Sequence, residues 1–388
     1  MIVSRRHKRL PIKTRVVRRA DEIPPEAWRR VWPPALEDQG FFKSIDDARL
    51  DQFSFYYILA YRRNHLVGIA PCFFMDYPLD TSVSGPLRRV SNAIKRVSPK
   101  IFSMRAFVCG CPISPGTIAA AEDPDHVFHA ITRRIEQMAK KMRASVIGYK
   151  DFGRSYTPLL DTLQKSGYSK FDSLPNTELN VWFSDFEGYL KTLTAASRYD
   201  LRRKFRRVDG RVKIHMEVTS SPDEKTLEVI YKLYRQTEAA HEMGFEILTV
   251  EFFRNIARYM PESAKFFLWK MDGRIVAFLM CLVSHDRLSD YYVGLDYSIA
   301  HEYHLYFLKF RDVLNWCIKH KIKTYEMGLT GYEPKRRLGF DFVPLYLYVK
   351  LRNRLMRPLF KVFCQFLRFE NFDPDLKKAR RKGKDRWR

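Results

Sequence analysis

The feature that constrains the fold most is an internal repeat, which relates the first half of the chain to the second. YRRNHLVGIAPCFF resembles KMDGRIVAFLMCLV, because in each a short polar turn separates two apolar runs of strand type. The second turn, Asp272-Gly273, is a strong two-residue hairpin signal. HVFHAITRRIEQMAKKMRASVIGY resembles LYFLKFRDVLNWCIKHKIKTYEMG, and KSGY resembles RLGF. Each half is therefore predicted to run helix, β-hairpin, strand, helix, strand, helix, strand.

The repeat predicts an α/β chain with two tandem domains, each built on a mixed sheet. The first domain is expected at 21–185 and the second at 186–350. The first half holds about 30 extra residues, which places a basic insertion at about 77–103. Residues 1–20 are expected to form a basic N-terminal arm, and 351–388 an amphipathic helix with a basic tail.

The periodicity of the second half predicts its elements individually. Helices are expected at 224–242, 249–259 and 302–320, and strands at 264–271, 274–284, 288–297, 322–327 and 342–350. The strand at 288–297 and the helix that follows it form the centre of this half.

The segment SRYDLRRKFRRV carries six cations in twelve positions. Leu201, Phe205 and Val208 recur with a helical period, which predicts one buried face. Asp200 follows Ser197 by three residues, a spacing similar to that of a capping box. Crowded like charges repel each other, so this helix is expected to bind an anion, and the alternative is a solvated face. It should lie at the junction between the two halves.

The net charge of +25 and the pI near 9.8 point to anionic partners: nucleic acid, an anionic membrane surface or phosphate-bearing substrates. Hydrophobic residues make up 46% of the chain, which excludes a disordered protein. No apolar run reaches the ~18 residues of a membrane span, and the basic N-terminus lacks an apolar signal core. The expected location is cytoplasmic, with peripheral contact to the inner membrane face as an option.

The six cysteines lie mostly in apolar runs, which indicates small buried residues in a reducing compartment. Cys109 and Cys111 form a lone C-x-C without a matching second pair. The two H-x-x-H pairs, HVFH and HEYH, fall in helical patterns without a carboxylate nearby. No metal site is therefore predicted.

Two basic amphipathic segments leave alternatives open. The insertion YPLDTSVSGPLRRVSNAIKRVSPKIF is either an ordinary surface helix or an exposed arm for membrane or substrate. The C-terminal segment LRNRLMRPLFKVFCQFLRFENF has apolar residues on one face with basic residues between them. It predicts either a helix that docks on a domain or an anchor that lies in the membrane plane.

The order of elements in each half resembles the GNAT acyltransferase fold, and two such halves resemble the Fem-type branch and related cell-envelope and polysaccharide acyltransferases. LPNTELNVWFSDFEGYLKTL followed by SRYDLRRKFRR is similar to the family's linker strand and arginine-rich helix. LTVEFFRNI is similar to its second helix, YYVGLDY to its core strand, and YEMGLTGYEPKRRLGF to its Gly–Lys–Gly-Phe block. The resemblance covers roughly residues 40–350. It departs at DYSIAHEYHLY, where single-domain GNAT enzymes carry a glycine-rich turn.

The resemblance implies a donor that lies against the core strand, with its phosphates at the N-terminus of the helix that begins near His301. Helix N-termini bind phosphate through free N–H groups and the helix dipole. Arg198, Arg202, Arg203 and Lys204 are expected to bind the phosphorylated donor. That donor is acyl-CoA as co-substrate or, alternatively, the acceptor end of an aminoacyl-tRNA. An anionic lipid headgroup is a further candidate for these cations.

Acyl transfer needs a base for the nucleophile and a stabilised oxyanion. Glu326 is a carboxylate in an apolar strand, so it is either a general base or half of an ion pair with Lys335 or Arg336. Tyr292, or its neighbour Tyr291, is either a proton donor or a packing residue.

The acceptor is expected near His241 and Glu242, at the end of a helix, although a lone helical histidine is often structural. Lys335 and Arg336 offer cations beside a glycine-bearing turn for an acceptor or donor phosphate, and the alternative is a solvated loop. The first half lacks a counterpart of Glu326, since its equivalent run is SVIGY. It is expected to serve as a scaffold and acceptor wall.

The predicted function is N- or O-acyl transfer from acyl-CoA to a cell-envelope, lipid or polysaccharide precursor. One alternative is Fem-type transfer from an aminoacyl-tRNA. The other is a non-catalytic module that binds RNA or an anionic membrane.

Overall fold

The computed structural model describes residues 11–78, 103–239, 246–355, 357, 358 and 360. Most of the insertion, the first half of the N-terminal arm and most of the predicted C-terminal helix lie outside the described residues. The described residues form two compact units. Unit 1 draws them from Met1–Pro34, Asp51–Phe171 and Tyr346–Phe366, and unit 2 from Ala35–Leu50 and Asp172–Leu345.

The helices and strands alternate along the chain. The strands are β1 (Ile12–Val17), β2 (Phe53–Arg62), β3 (His65–Pro78), β4 (Ser103–Cys109), β5 (Ala119–Ala120), β6 (Val146–Gly153), β7 (Ser169–Asp172), β8 (Asn176–Asn180), β9 (Ile214–Thr219), β10 (Ala264–Met271), β11 (Arg274–Val283), β12 (Arg287–Leu295), β13 (Thr324–Glu326), β14 (Asp341–Val343) and β15 (Leu345–Leu351). The α-helices are α1 (Pro25–Val31), α2 (Gln39–Asp46), α3 (Pro124–Lys141), α4 (Thr157–Leu160), α5 (Phe186–Thr192), α6 (Ala195–Asp209), α7 (Glu224–Ala239), α8 (Val250–Tyr259), α9 (Leu305–Lys319) and α10 (Tyr332–Arg337).

The sheet of unit 1 follows the order β1-β2-β3-β4-β6-β15-β7, with β5 paired to β3. β2 and β3 form the predicted hairpin, and β4 pairs with β6 in parallel. Helix α3 buries its apolar stripe, which includes Val127, Ile131 and Ile135, in the core of this unit. Strand β1 belongs to the predicted N-terminal arm, which therefore contributes an edge strand to the sheet.

The sheet of unit 2 follows the order β14-β8-β13-β12-β11-β10-β9. β12 and β13 are parallel neighbours, whereas the other pairs are antiparallel. Ala277, Leu279 and Cys281 of β11 pack in one core with α5, α6 and α9. Phe278, between them, contacts Phe253 of α8 on the opposite face. Helices α5, α6 and α9 thus cover one face of the sheet, and α7 and α8 cover the other.

The order of elements predicted for the second half is confirmed, with local corrections. The Asp272-Gly273 turn has positive φ at both residues, 49° and 77°, as a tight hairpin turn requires. The helix predicted at 302–320 begins only at Leu305, because the preceding residues form turns. The strand predicted at 342–350 is two strands, since Pro344 lacks the N–H that would continue the pairing.

The contiguous domains predicted at 21–185 and 186–350 differ from the units of the structure. Helix α2, early in the chain, belongs to unit 2, where Ser44 accepts a hydrogen bond from Asn255 of α8 at 3.4 Å. Strand β15, near the other end of the chain, joins the sheet of unit 1. Each unit is therefore completed by a segment that is distant in sequence.

Two smaller findings concern the cysteines and the apolar character of the helices. The five cysteines of the described residues are free and buried, as predicted from their apolar surroundings. No helix in the described parts of the chain has both the length and the apolar character needed to cross a membrane.

Candidate functional site

The sheet of unit 2 opens between β12 and β13. The two strands pair over three residues, and the last pair is Ser289 with Glu326, where β13 ends. The pairing of β12 with β11 shifts by one residue at Tyr291, which forms a β-bulge. A bulge bends its strand and redirects neighbouring side chains. β12 therefore continues beyond the end of β13, and the sheet has a gap at this point.

A cavity of about 630 Å³, here called the basic pocket, lies on the α9 face of this sheet. Its walls come from the loop before α6, from α6 itself, from α9, from α10 and from the segment that ends in β14. Phe340 in its lining contacts Tyr325 of β13 at 5.6 Å between ring centroids, so the pocket borders the strand at which the sheet opens. The lining residues are Thr192, Leu193, Thr194, Ala196, Ser197, Asp200, Leu201, Phe307, Arg336, Arg337, Leu338, Gly339, Phe340 and Phe342.

Helix α6 carries the cationic segment and follows its N-cap, Thr194. The Thr194 hydroxyl accepts a hydrogen bond from the N–H of Ser197 at 3.2 Å. Ser197 therefore lies inside the first turn, which corrects the prediction that it starts the helix. Leu201, Phe205 and Val208 form the buried face, as predicted.

Two of the predicted donor-binding cations lie beside the basic pocket. The ammonium of Lys204 binds Asp200 and lies 4.1 Å from the ring centroid of Phe307 in α9. Arg203 binds the other oxygen of Asp200 at 2.8 Å. The two cations hold the pKa of the Asp200 carboxyl below its usual value, although partial burial acts in the opposite direction. Asp200 is therefore an anion fixed in a cationic wall.

The other predicted cations of α6 lie elsewhere on the helix. Arg202 binds Glu187 of α5 at 2.5 Å. Arg198 is partly buried, whereas Arg206 and Arg207 are exposed. The structure thus places Arg203 and Lys204 at the pocket wall, and Arg202 and Arg206 on the outer side of the helix.

The first turn of α9 lies close to the cations of α6. Burial lowers the pKa of the N-cap His304, and Lys204 and Arg207 lower it further. A helix N-terminus carries a partial positive charge and free N–H groups. Cations from α6 and the N-terminus of α9 therefore combine in one region of positive potential, which suits a phosphate.

Four side chains between α9, α10 and the strands form what we call the buried lysine network: Asp290, Lys309, Tyr325 and Lys335. The ammonium of Lys309 binds the Asp290 carboxylate at 2.9 Å, with side-chain exposures of 2% and 8%. The Tyr325 hydroxyl donates to the same carboxylate oxygen at 3.1 Å. The network anchors β12 and β13 to α9 at the position where the strands separate.

Lys335 faces the interior, whereas its neighbour Arg336 lines the basic pocket. The Lys335 ammonium donates to the carbonyl oxygens of Met327, Gly328 and Leu329 at 2.6, 3.0 and 3.2 Å. These carbonyls belong to the turn that follows β13. Lys335 therefore holds the turn, and the alternative of a solvated loop is wrong for this residue.

The Lys335 ammonium also holds its proton less tightly than an ordinary lysine does. Burial, and then the nearby charge of Lys309, lower its pKa to about 7, while Asp290 acts in the opposite direction. The Asp290 carboxylate binds Lys309, and among the residues that the structure describes the charge of Lys335 has no ion-pair partner of its own. Partial loss of the proton from Lys335 near neutral pH relieves this imbalance.

Glu326 lies on the face of the sheet opposite to the basic pocket, because its neighbour Tyr325 faces α9 and side chains alternate along a strand. Arg287 binds its carboxylate and also reaches Glu178 of β8, at 3.4 Å. Glu326 is therefore ion-paired, with Arg287 and not with one of the predicted cations of α10.

The bulge of β12 brings two successive tyrosines to this second face. The Tyr292 hydroxyl donates to Glu246 at 3.1 Å, and its ring packs against Phe252 of α8. The Tyr291 hydroxyl donates to Glu37 at 2.5 Å. Burial raises the pKa of the Glu37 carboxyl, and the bond from Tyr291 opposes this. Both phenols are therefore bound to carboxylates.

The predicted site residues thus separate into groups. Arg203, Lys204 and Arg336 lie at or beside the basic pocket, and Glu326 and Tyr292 lie on the other face of the same sheet. The predicted acceptor-binding pair lies outside the described residues: His241 and Glu242.

The corresponding place in unit 1 is occupied by the chain itself. β4 and β6 pair in parallel as far as Cys109 with Tyr149, and Gly116 then pairs with Phe152. A Cβ on Gly116 would lie 2.4 Å from the carbonyl oxygen of Lys150, so only glycine permits this approach. The segment after β4 thus covers β6, and unit 2 is the better candidate for a donor site.

Comparison with known proteins decides the family. A FemAB-like family model, described as peptidoglycan biosynthesis/recognition, matches residues 39–379. The chain belongs to the FemAB-like family. The Fem-type resemblance drawn from the sequence is therefore confirmed. No curated protein matches the chain significantly.

Solved structures share the fold at low sequence identity. FemX has a TM-score of 0.56 at 11% identity, over 90% of this chain and 100% of that one. L-PGS from Bacillus licheniformis has a TM-score of 0.53 at 12% sequence identity, over 88% of this chain and 95% of that one. A tandem GNAT protein from the clavulanic acid biosynthesis pathway has a TM-score of 0.50 at 9% sequence identity, over 88% of this chain and 98% of that one. The predicted tandem GNAT-like fold is confirmed, and the FemAB-like family supports an acyl or aminoacyl transferase of the cell envelope.

Proposed function

We propose that this FemAB-like chain transfers an acyl or aminoacyl group from a phosphate-bearing donor to an amine or hydroxyl of a cell-envelope, lipid or polysaccharide precursor. The observation that carries the proposal is the gap between β12 and β13, with a basic pocket on one face and a buried acid, Glu326, on the other. A donor bound in the pocket would present its reactive end at the gap.

The pocket wall supports a donor that is both charged and apolar. Arg203 and Lys204, with the first turn of α9, are suited to its phosphates, and Arg336 adds a cation to the wall. Leu338 and Phe340 are suited to its apolar part. Small-molecule sites commonly combine apolar walls with a few placed polar groups.

The chemistry proposed for the gap is a single acyl transfer. The nucleophile attacks the carbonyl carbon and loses a proton to Glu326, whose carboxylate Arg287 holds in place. The bond from that carbon to the leaving sulfur or ribose oxygen then breaks, and a phenol such as Tyr292 supplies a proton to the leaving atom.

Two donor classes fit this site. Acyl-CoA matches the phosphate-binding region and the apolar lining. Aminoacyl-tRNA carries an α-ammonium on its ester, and Asp200 in the pocket lining can bind this group in exchange for Arg203 or Lys204. The turn before α9 favours it as well, because it lacks the glycine that close approach to a pyrophosphate requires.

Thermal unfolding at fixed low salt, with acetyl-CoA, long-chain acyl-CoA or tRNA, distinguishes the donors. A ligand at a hundred times its dissociation constant adds ~2.7 kcal/mol, which raises the melting temperature by a few degrees. Inorganic phosphate and a non-tRNA RNA are the charge controls. A shift of the melting temperature that is specific to an acyl-CoA or to tRNA identifies the donor. If neither gives a shift larger than the controls do, the proposal is contradicted and a non-catalytic binder is favoured.

The variant Arg203→Ala/Lys204→Ala should weaken binding of the donor identified in this way by at least about tenfold and reduce its salt dependence. The matched control is Arg254→Ala, which removes an ion-paired surface arginine from α8 on the other face of the sheet. An unchanged affinity in the double variant would place the phosphates elsewhere.

A further inference from the structure

The outer face of α6 is a second cationic surface, which meets the wall of the basic pocket at Arg203. We define it by Tyr199, Arg202, Arg203 and Arg206, which recur with helical spacing opposite the buried stripe of this helix. Tyr199 is 65% exposed and lies at the N-terminal end of this stripe, one helical turn before Arg202 and Arg203. A large exposed aromatic ring within a basic stripe is a feature that internal packing does not explain.

The ion pairs on this face do not remove its charge. Arg202 binds Glu187 and Arg203 binds Asp200, but both arginines stay about half exposed or more, at 48% and 65%. Exposed pairs contribute only about 0–1 kcal/mol, so another anion can replace either carboxylate. Arg206 forms no ion pair with any described residue of the chain. The face is therefore available to an external anion.

The shape of the face favours a flat lipid surface over RNA. A helix is convex, and the deep, narrow major groove of double-stranded RNA does not admit side chains. Single-stranded RNA is bound in grooves that carry stacking platforms. A convex basic helix with an exposed aromatic ring at one end matches the interface of an anionic bilayer, where arginines meet lipid phosphates and tyrosine lies at headgroup level.

We infer that the outer face of α6 docks on an anionic lipid surface. The same helix supplies the pocket residues Ala196, Ser197 and Asp200 on its flank. A second exposed aromatic ring, Trp182, lies just before α5, the helix whose Glu187 binds Arg202. Docking through this face would hold the basic pocket next to the bilayer, whichever donor the pocket takes.

The test is co-sedimentation of the full chain with vesicles of phosphatidylglycerol and phosphatidylcholine, and with vesicles of phosphatidylcholine alone. The wild type should partition only to the anionic vesicles, and salt should weaken the binding. Each basic residue near such a surface contributes a factor of about five, so Arg202→Ala/Arg206→Ala should lower the partition coefficient about thirtyfold. Tyr199→Ser should lower it severalfold without any change of charge.

The matched control is Lys225→Ala/Lys232→Ala, which removes two exposed charges from α7 on the opposite face of the same sheet. It should change the partition coefficient by less than about fivefold, the effect of a single basic residue near the surface. The inference is overturned if the wild type does not bind anionic vesicles, or if both double variants lower the partition coefficient equally. It is also overturned if Arg202→Ala/Arg206→Ala lowers RNA binding while vesicle binding stays unchanged.

Discussion

Replacing Lys309 by methionine should lower the free energy of unfolding by about 3–5 kcal/mol, because the change leaves the buried Asp290 carboxylate without its closest cation. The pair is 2.9 Å apart, and the Lys309 side chain is 2% exposed. Methionine fills a similar volume, so the loss reflects an uncompensated charge more than a cavity. Urea unfolding followed by circular dichroism measures the change as a shift of the midpoint at constant slope.

A second variant separates the charge effect from packing. In Lys309→Met/Asp290→Asn no unpaired carboxylate remains, so the double variant should recover more than half of the stability lost in the single one. Lys319→Met, at the exposed end of the same helix, should cost less than about 1 kcal/mol. If the double variant is as unstable as the single variant, the Lys309–Asp290 pair is not the source of the effect.

The architecture could be predicted from the sequence because its information is local. Apolar stripes with a helical period predict the helices, alternation of apolar and polar residues predicts the strands, and Asp272-Gly273 predicts a hairpin. The repeat then indicated two copies of one fold. The exchange of α2 and β15 between the units could not be predicted, because a stripe shows which side of an element is buried but not against which sheet.

The site was predicted less completely, since ion pairs join residues that are distant in sequence. Arg287 binds Glu326, 39 residues away, and no local pattern selects that cation over Lys335. A signal for Lys309 did exist. It lies four residues after Leu305 and four before Val313, at a position where the helical stripe calls for an apolar side chain. A lysine in such a position needs a buried acid, and Asp290 in the apolar core strand is that acid.

Lys335 should give unit 2 a stability that rises with pH between about 7 and about 10. Its folded pKa is lowered to about 7, below its ordinary value of 10.5. Between these values the unfolded chain binds one proton more than the folded chain, so the free energy of unfolding increases with pH. The slope approaches about 1.4 kcal/mol per pH unit. Below pH 7 the lysine is protonated in both states and this dependence disappears.

Lys335→Met should remove that slope. It should also destabilise the protein by about 2–5 kcal/mol at pH 9, because the carbonyls of Met327, Gly328 and Leu329 lose their shared donor. Unfolding free energies of the wild type and the variant, measured by urea titration from pH 6 to pH 10, should therefore diverge as the pH rises. The exposed Lys191→Met serves as the control and should follow the wild type throughout.

The buried lysine network predicts one further change in the pH dependence of the unfolding free energy. Lys309 is one cause of the lowered pKa of Lys335, so in Lys309→Met the pKa of Lys335 should rise and the pH-dependent window should narrow from its lower end. The charge of Asp290 also raises the pKa of Lys335, so it acts in the same direction as the loss of Lys309. Parallel curves for the wild type and Lys335→Met would show that Lys335 keeps its proton on folding, and that its three carbonyl contacts outweigh its burial.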